Sequence, residues 1–576
     1  MHTNDKYLLT QLLKDLKPQK FILICGLLLY VPVTILAIIQ PLIIGYAVQQ
    51  GLLYKNIQSV INFSLIFLLV VISLSLCELL QGYCLQLSGQ RLVSYLRMRV
   101  FAKIQRLSMG FIDTTPLGKI LTRLTNDAES VAELFSMGAV QIVGDVLFLL
   151  STVVMLVLVD IKLTFYSALI LPLLAIGLYF FRIWTKRAFV RVRHVLSNLN
   201  SFLQEYISGM STVQISDGLK NCEYNFAIQN KEYLYANRQA VFLEAAIYSF
   251  VDASSYLASA AVLWGAYKLE LNHALSLGVL VAFLEALMRF FQPLREMANR
   301  YAVFESAMVS LSRIYEVFSW PEEHDKPGVT HIYFENSIEF QHVSFAYEKG
   351  GAVLKDVSLK IKKGEHVALV GQTGAGKSTV IKLLNRFYHV SSGQILIDKR
   401  NINTFSLGEL RKLISVVPQD IFLFNASLRE NLTFGNPDAS DKIIWDALKL
   451  TQLEDIIQQK GGLAILVERR GQNFSVGERQ LLAFARAIIA DPPILILDEA
   501  TASVDARTEH NLKLATKALL HNRTALIIAH RLSTIIDADR ILVFEQGQIV
   551  EEGSHSELIA RSGIYARMIQ FQQTTF

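Results

Sequence analysis

Six apolar segments fill much of the first 320 residues of this chain, near 21–48, 60–83, 139–159, 163–181, 240–267 and 277–291. Each is long enough as a helix to cross about 30 Å of hydrocarbon, where every backbone group must find its partner inside the segment. One such segment could be a buried helix of a soluble core; six in this spacing read as membrane spans. The 52% hydrophobic content of the 576 residues is concentrated in this half, too unevenly for one soluble enzyme.

Loop charge sets an orientation. Arg91, Arg97, Arg99, Lys103, Arg106, Lys119 and Arg123 lie between the second and third spans, and Arg182, Lys186, Arg187, Arg191 and Arg193 follow the fourth, which puts these connections on the cytoplasmic side. The opposite turns carry only Lys55, Lys162 and Lys268 nearby, so both chain ends face the cytoplasm. Residues 57–107 contain no proline and as one helix would run about 75 Å, far beyond the bilayer. Residues 118–208 are broken only by Pro172, so two long hairpins are expected to project towards the second half, with contact elements at their tips, 111–118 and 209–218.

Leu8, Leu9, Leu12, Leu13 and Leu16 form a stripe at helical spacing that suits a helix lying in the membrane interface. The start reads neither as a cleavable signal nor as an organellar transit peptide, and a bacterial plasma membrane is the simplest address. Cys25, Cys77, Cys84 and Cys222 read as reduced packing residues, since Cys77 and Cys84 would lie about 10 Å apart on a helix. The net charge of +5 is accounted for by the basic loops, which gives nucleic-acid binding no support.

Composition changes past Trp320, dividing the chain into a transmembrane domain at 1–320, a linker at 321–335 and one α/β domain at 336–576. That domain contains Gly371-Gln372-Thr373-Gly374-Ala375-Gly376-Lys377-Ser378, a complete phosphate-binding loop. Small residues let successive N–H groups turn inward on phosphates, Lys377 reaches the β- and γ-phosphates, and Ser378 reaches magnesium. An apolar strand, 366–370, feeds the loop, and a helix beginning at Thr379 leaves it. Farther on, the apolar strand 494–497 ends in Asp498 and Glu499, a pair suited to holding magnesium with one carboxylate and activating water with the next.

With these motifs the chain resembles the ATP-binding cassette (ABC) transporters along essentially its whole length, and six spans fused ahead of the cassette resemble an exporter half-transporter. The resemblance implies a helical membrane domain of the type I/IV ABC exporter fold joined to a P-loop nucleotide-binding domain, with ATP and Mg²⁺ bound. It also implies residue roles. Asp498 would support Mg²⁺ and Glu499 would be the general base. Gln419, in Val-Val-Pro-Gln-Asp, would link magnesium and the attacking water to the membrane helices. His530, in Ile-Ile-Ala-His-Arg, would contact the γ-phosphate, and Tyr347 would stack on adenine. Asp505, in Ser503-Val-Asp505, would cross the dimer interface. Phe111-Ile-Asp113 with Gly118, Arg123 and Asp127 looks like the first intracellular hairpin of ABC exporters.

The signature segment, usually Leu-Ser-Gly-Gly-Gln, is here Phe474-Ser475-Val476-Gly477-Glu478. In the family it faces the ATP of the partner subunit, so the dimer is the catalytic unit. Val476 is β-branched, resists the positive φ that glycine allows and crowds close backbone approach. Glu478, about 8 Å from a phosphate at an effective dielectric of about 20, would repel it by about 2 kcal/mol per unit charge, unless it points away. Arg469 also stands where an acidic residue is usual. An altered signature beside an intact Glu499 and His530 looks like one member of the bacterial heterodimeric, multidrug-type exporters, in which one ATP site is degenerate. A homodimeric lipid or drug exporter is the main alternative; an ATP-gated channel or regulatory receptor is the alternative of another class.

The implied function is ATP-driven export of a hydrophobic or amphipathic substrate by alternating access. Glu78, Asp145, Asp252, Glu285 and Arg289 fall within the spans. Glu285 and Arg289 are four apart and suit a pair along one helix. Unpaired Glu78, Asp145 or Asp252 would favour cationic cargo, against a structural pairing or a position nearer the interface.

Overall fold

The computed structural model describes residues 3–574 except 53, 137, 271–275, 324–327, 330–331, 348–349, 499–505 and 530–531. Its contacts define two units, Met1–Gln105 with Thr115–Trp320, and Arg106–Thr114 with Pro321–Phe576.

The first unit is helical. Among the described residues six stretches, Lys17–Leu52, Ile57–Ile104, Leu117–Val159, Ile161–Ser208, Leu219–Lys268 and Leu277–Phe318, are long and apolar enough to cross a membrane. Ile57–Ile104 is one helix of 48 residues, as the absence of proline allows. Between 118 and 208 the helix breaks at Thr125, at Gly138 and at Asp160 as well as near Pro172. The Asp160 carboxylate accepts N–H bonds from Lys162 and Leu163 and so caps Ile161–Ala168, while Pro172 sits in the first turn of Leu171–Ser208, where its missing N–H costs nothing.

The N-terminal helix Thr3–Asp15 packs one face of its leucine stripe on the bundle. Leu8, Leu12 and Leu16 are buried in the unit, although Leu13 is exposed. Asp15 accepts a hydrogen bond from Arg99 at 2.5 Å and another from the Tyr315 hydroxyl at 2.8 Å. Two donors from other helices thus fasten the segment to the bundle, a long-range contact that helical periodicity alone cannot register.

Small residues set the closest helix approach. A Cβ on Gly45 would lie 2.4 Å from the carbonyl oxygen of Gly278, and one on Gly278 would lie 2.4 Å from that of Gly45. The two backbones touch with no side chain between them, the usual role of small residues at membrane helix interfaces. The four cysteines are free.

Among the described residues the second unit has ten strands: β1 (Ser337–Ala346), β2 (Ala352–Lys362), β3 (His366–Gly371), β4 (Ser392–Ile397), β5 (Arg400–Asn401), β6 (Ile414–Val417), β7 (Ile494–Asp498), β8 (Thr524–Ile528), β9 (Arg540–Glu545) and β10 (Gln548–Gly553). An antiparallel sheet runs β2-β1-β4-β5, and a larger sheet runs β10-β9-β3-β8-β7-β6. In the larger sheet β10 is antiparallel and the other five strands are parallel. Alternate residues of β3 enter opposite cores. Ala368 and Val370 pack on one face with Phe484 and Leu512, and Val367 and Leu369 on the other with Phe340 and Leu384. A strand buried on both faces reads as the continuous apolar run seen in the sequence.

The glycine contact gives a test. Gly45→Leu or Gly278→Leu should separate the two helices and cost about 1–3 kcal/mol or more, because overpacking meets backbone rather than a movable side chain. Thermal unfolding in detergent should show it as a clear fall in midpoint.

Candidate nucleotide site

The parallel order β3-β8-β7-β6 brings the carboxyl ends of four strands to one edge. Leu497 of β7 lies opposite Ile527 of β8 and Val417 of β6, and Leu369 of β3 lies opposite Ile528. The phosphate-binding loop therefore leaves β3 at the edge where β7 ends in Asp498 and where Gln419 follows β6 by two residues. Glu499, Ser503 and Asp505, and His530 just past β8, lie outside the described residues.

The loop is shaped by its glycines. A Cβ on Gly371 would meet the Phe544 carbonyl oxygen at 2.3 Å, which fixes the loop's exit against β9. Gly376, at φ 104°, makes the left-handed turn into the helix Lys377–Leu384. Gln372, Thr373, Gly374 and Ser378 are exposed, while Ala375, Lys377 and Thr379 are buried. The Lys377 ammonium donates to the carbonyls of Gly371 at 2.6 Å and Gln372 at 2.9 Å, bracing the loop from within. Burial pushes Lys377 below its ordinary value, opposed by the charge of Asp498.

Tyr347 follows β1, and its hydroxyl is 3.2 Å from that of Thr379. Its ring meets Tyr388 edge-on at 5.1 Å and Phe345 at 4.9 Å. Lys382, on the helix after the loop, lies within cation–π distance of both tyrosine rings and bridges to Asp113 at 2.9 Å. Tyr388 donates to the same carboxylate at 2.8 Å. Asp113 belongs to the short helix Met109–Thr114, which comes from between two spans yet packs in this unit. Partial burial opposes its charge, but the bonds from Lys382 and Tyr388, with the charge of Lys382, outweigh it and hold the carboxyl below the usual range. Lys382 and Tyr388 carry no local sequence signal that marks them as site residues.

At the altered signature the structure corrects two expectations. Val476 does not occupy a positive-φ position; it opens the helix Val476–Ala490, a helical site that a β-branched residue adopts without strain. Its side chain is 50% exposed, so its bulk remains on the surface. Glu478 is not a free charge. It completes a capping box, accepting from the Ser475 N–H at 2.7 Å while Ser475 Oγ accepts from the Glu478 N–H at 3.1 Å, and Lys460 pairs with its carboxylate at 3.0 Å. The repulsion expected of an isolated carboxylate is largely cancelled by that ammonium. Ser-x-x-Glu is a readable capping signal; Lys460, eighteen residues upstream, is not. Gly477 is held to its identity by packing, since a Cβ there would lie 2.1 Å from Thr508 Cγ2.

The intramembrane carboxylates separate. Glu78 and Asp145 line one pocket, whereas Asp252 lies outside its lining and accepts from Arg295 at 2.9 Å. Glu285 pairs with Arg289 at 3.1 Å along their helix.

A phosphate-binding loop and an acidic strand end on one sheet edge, in a chain with six candidate spans, define a membrane transporter powered by a nucleoside triphosphate. Residues 23–294 match the ABC transporter transmembrane region family, and residues 354–502 match the ABC transporter family. The uncharacterized ABC transporter ATP-binding protein YknV of Bacillus subtilis (strain 168) is 36% identical over 571 residues, covering 98% of this chain and 94% of that protein. A fatty acid ABC transporter ATP-binding/permease protein of Mycobacterium tuberculosis (strain CDC 1551 / Oshkosh) is 36% identical, covering 85% and 78% respectively. The solved structure of a bacterial Atm1-family ABC exporter with ATP bound superposes with a TM-score of 0.77 at 28% identity, covering 97% of this chain and 98% of that one. The chain belongs to the ABC transporter family. It is an exporter half-transporter, a multi-pass bacterial membrane protein that works as a dimer and couples ATP hydrolysis to transport.

Two measurements probe this geometry. Lys460→Ala and Glu478→Gln should each cost about 1 kcal/mol in thermal unfolding, and the double variant should cost less than their sum by about 0.5 kcal/mol, whereas additivity would mean the pair is not formed. Asp113→Asn should raise hydrogen exchange in 106–114. The wild type should lose the same protection as pH falls through the depressed Asp113 pKa, because its contribution requires the ionised carboxylate.

Proposed function

We propose that this chain exports a hydrophobic or amphipathic substrate by alternating access, as one half of a heterodimer in a bacterial plasma membrane, with both chain ends in the cytoplasm. The observation that supports the export reading is the shared sheet edge of the phosphate-binding loop, Asp498 and Gln419 in a chain with six candidate spans. In this reading residues 371–379 hold the phosphates through loop N–H groups, Lys377 and Ser378, and Tyr347 stacks on adenine. Glu499 polarises the attacking water, His530 contacts the γ-phosphate, and Asp505 crosses to the partner. Two ATP molecules draw the cassettes together and open the membrane cavity outward; hydrolysis resets it.

Ser378, Gln419 and Asp498 supply a hydroxyl, an amide and a carboxylate oxygen, a donor set that suits Mg²⁺, which takes few protein ligands and keeps phosphates and waters. When bound, the ion would neutralise phosphate charge.

Val476 supports the heterodimer. Its exposed side chain stands at the start of the signature helix, where the partner's ATP needs bare backbone, so the ATP site that uses this signature is the degenerate one. The partner would carry an intact signature and a substituted base. The Lys460–Glu478 pair favours a second reading, a homodimer whose signature tolerates its acid because the charge is already neutralised.

The Mg²⁺-dependent ATPase rate of the chain purified alone in lipid separates the two. Background turnover despite ATP binding supports the heterodimer; robust turnover establishes the homodimer. Glu499→Gln should retain ATP binding and lower turnover about a hundred-fold or more in whichever dimer is active, and unchanged turnover would remove Glu499 as the base.

A further inference from the structure

Within the membrane unit lies a pocket of about 430 Å³ between helices of four different spans. Its ionisable lining is Glu78, Asp145, Glu296 and Arg300. Arg300 bonds to both Asp145 and Glu296, so two carboxylates share one guanidinium. Among the described residues Glu78 has no hydrogen-bond or ion-pair partner. The lining therefore carries a net negative charge, and Glu78 is its uncompensated member.

A second observation is independent of that charge. Gln81, one helical turn beyond Glu78, is 7% exposed, lines the same pocket, and its amide nitrogen is buried without a partner. A buried donor of this kind is costly if nothing satisfies it. Glu78 lies twenty-one residues after Ile57, about 30 Å along the helix and close to one edge of the hydrocarbon.

The aromatic wall is already fixed. The Tyr30 hydroxyl donates to Gln141 at 3.0 Å, and Gly144 leaves room for the ring, since a Cβ there would lie 2.0 Å from Tyr30 Cε1. Phe148 and Leu85 add apolar surface.

Resting on the export reading above, the geometry points to an amphipathic cation as the substrate of this pocket. The positive group faces Glu78, a hydrogen-bond acceptor on the ligand takes the Gln81 amide, and the apolar body lies against Tyr30, Phe148 and Leu85. A fatty acid, whose carboxylate would meet Glu78 and Glu296, is disfavoured, even though a relative of this chain is named for fatty acids.

The test uses the active dimer in proteoliposomes with three probes: (methoxyphenyl)triphenylphosphonium, which carries an acceptor oxygen, neutral triphenylphosphine oxide and palmitate. ATP should drive accumulation of the phosphonium. Glu78→Gln should weaken its binding about ten-fold while shifting the neutral oxide less than about two-fold, and Glu78→Asp should recover most of the loss. Equal weakening of the cation and the neutral oxide would mean that Glu78 only shapes the pocket, and would overturn the proposal. So would a phosphonium affinity unchanged in Glu78→Gln. Accumulation of palmitate but not of the cation would overturn the cation assignment and leave export standing. ATP hydrolysis with accumulation of no probe would count against both.

Discussion

Everything at the nucleotide edge depends on the parallel register of β3 with its neighbours. Hydrogen bonding to β8 on one side and β9 on the other fixes where β3 ends, and hence where the loop begins. The same ladder continues through β7 to β6, so one register determines the depth of Asp498 and the start of the segment bearing Gln419. Because side chains alternate between two cores, a one-residue slip in β3 would exchange Val367 and Leu369 for Ala368 and Val370 on both faces at once. The chemistry is thus aligned by packing far from any phosphate.

The membrane unit obeys a different constraint. Hydrocarbon offers no partner to a bare N–H or C=O, so the chain must be helical there, and specificity comes from what the helices place between them. At Gly45 and Gly278 they place nothing. At Asp145, Arg300 and Glu296 they place an unbalanced ionic group. The first is a packing solution and the second a chemical one, and they occur within the same bundle.

The sequence made legible what is local or strongly patterned. Six spans appear as long apolar runs, β3 as a short one between turn signals, and the phosphate-binding loop as glycines at fixed spacing. What stayed hidden depends on residues distant in the chain. The stripe on Thr3–Asp15 has the same periodicity whether it meets lipid or protein, and the fastening of Asp15 by Arg99 and Tyr315 comes from residues far along the chain. Glu478 looked like a loose charge because its counter-ion comes from another loop, although the Ser475-x-x-Glu478 cap was readable. Asp252 and Asp145 resembled Glu78 locally until Arg295, forty-three residues on, and Arg300, 155 residues on, paired with them and left Glu78 apart. The segment Arg106–Thr114 sits beside spans in the chain and packs with the cassette in space.

The glycine pair has a mechanical consequence. Side chains between helices act as compressible bearings, and their rotamers absorb small rotations of one helix against another. Where two backbones meet directly there is no such slack. The helices Tyr30–Leu52 and Leu277–Phe318 therefore meet at Gly45 and Gly278 with no such cushion. A change of shape in the bundle that keeps this contact must find its freedom elsewhere. Pro41 and Pro293, which interrupt the hydrogen-bond ladders of these same two helices, are natural places for it.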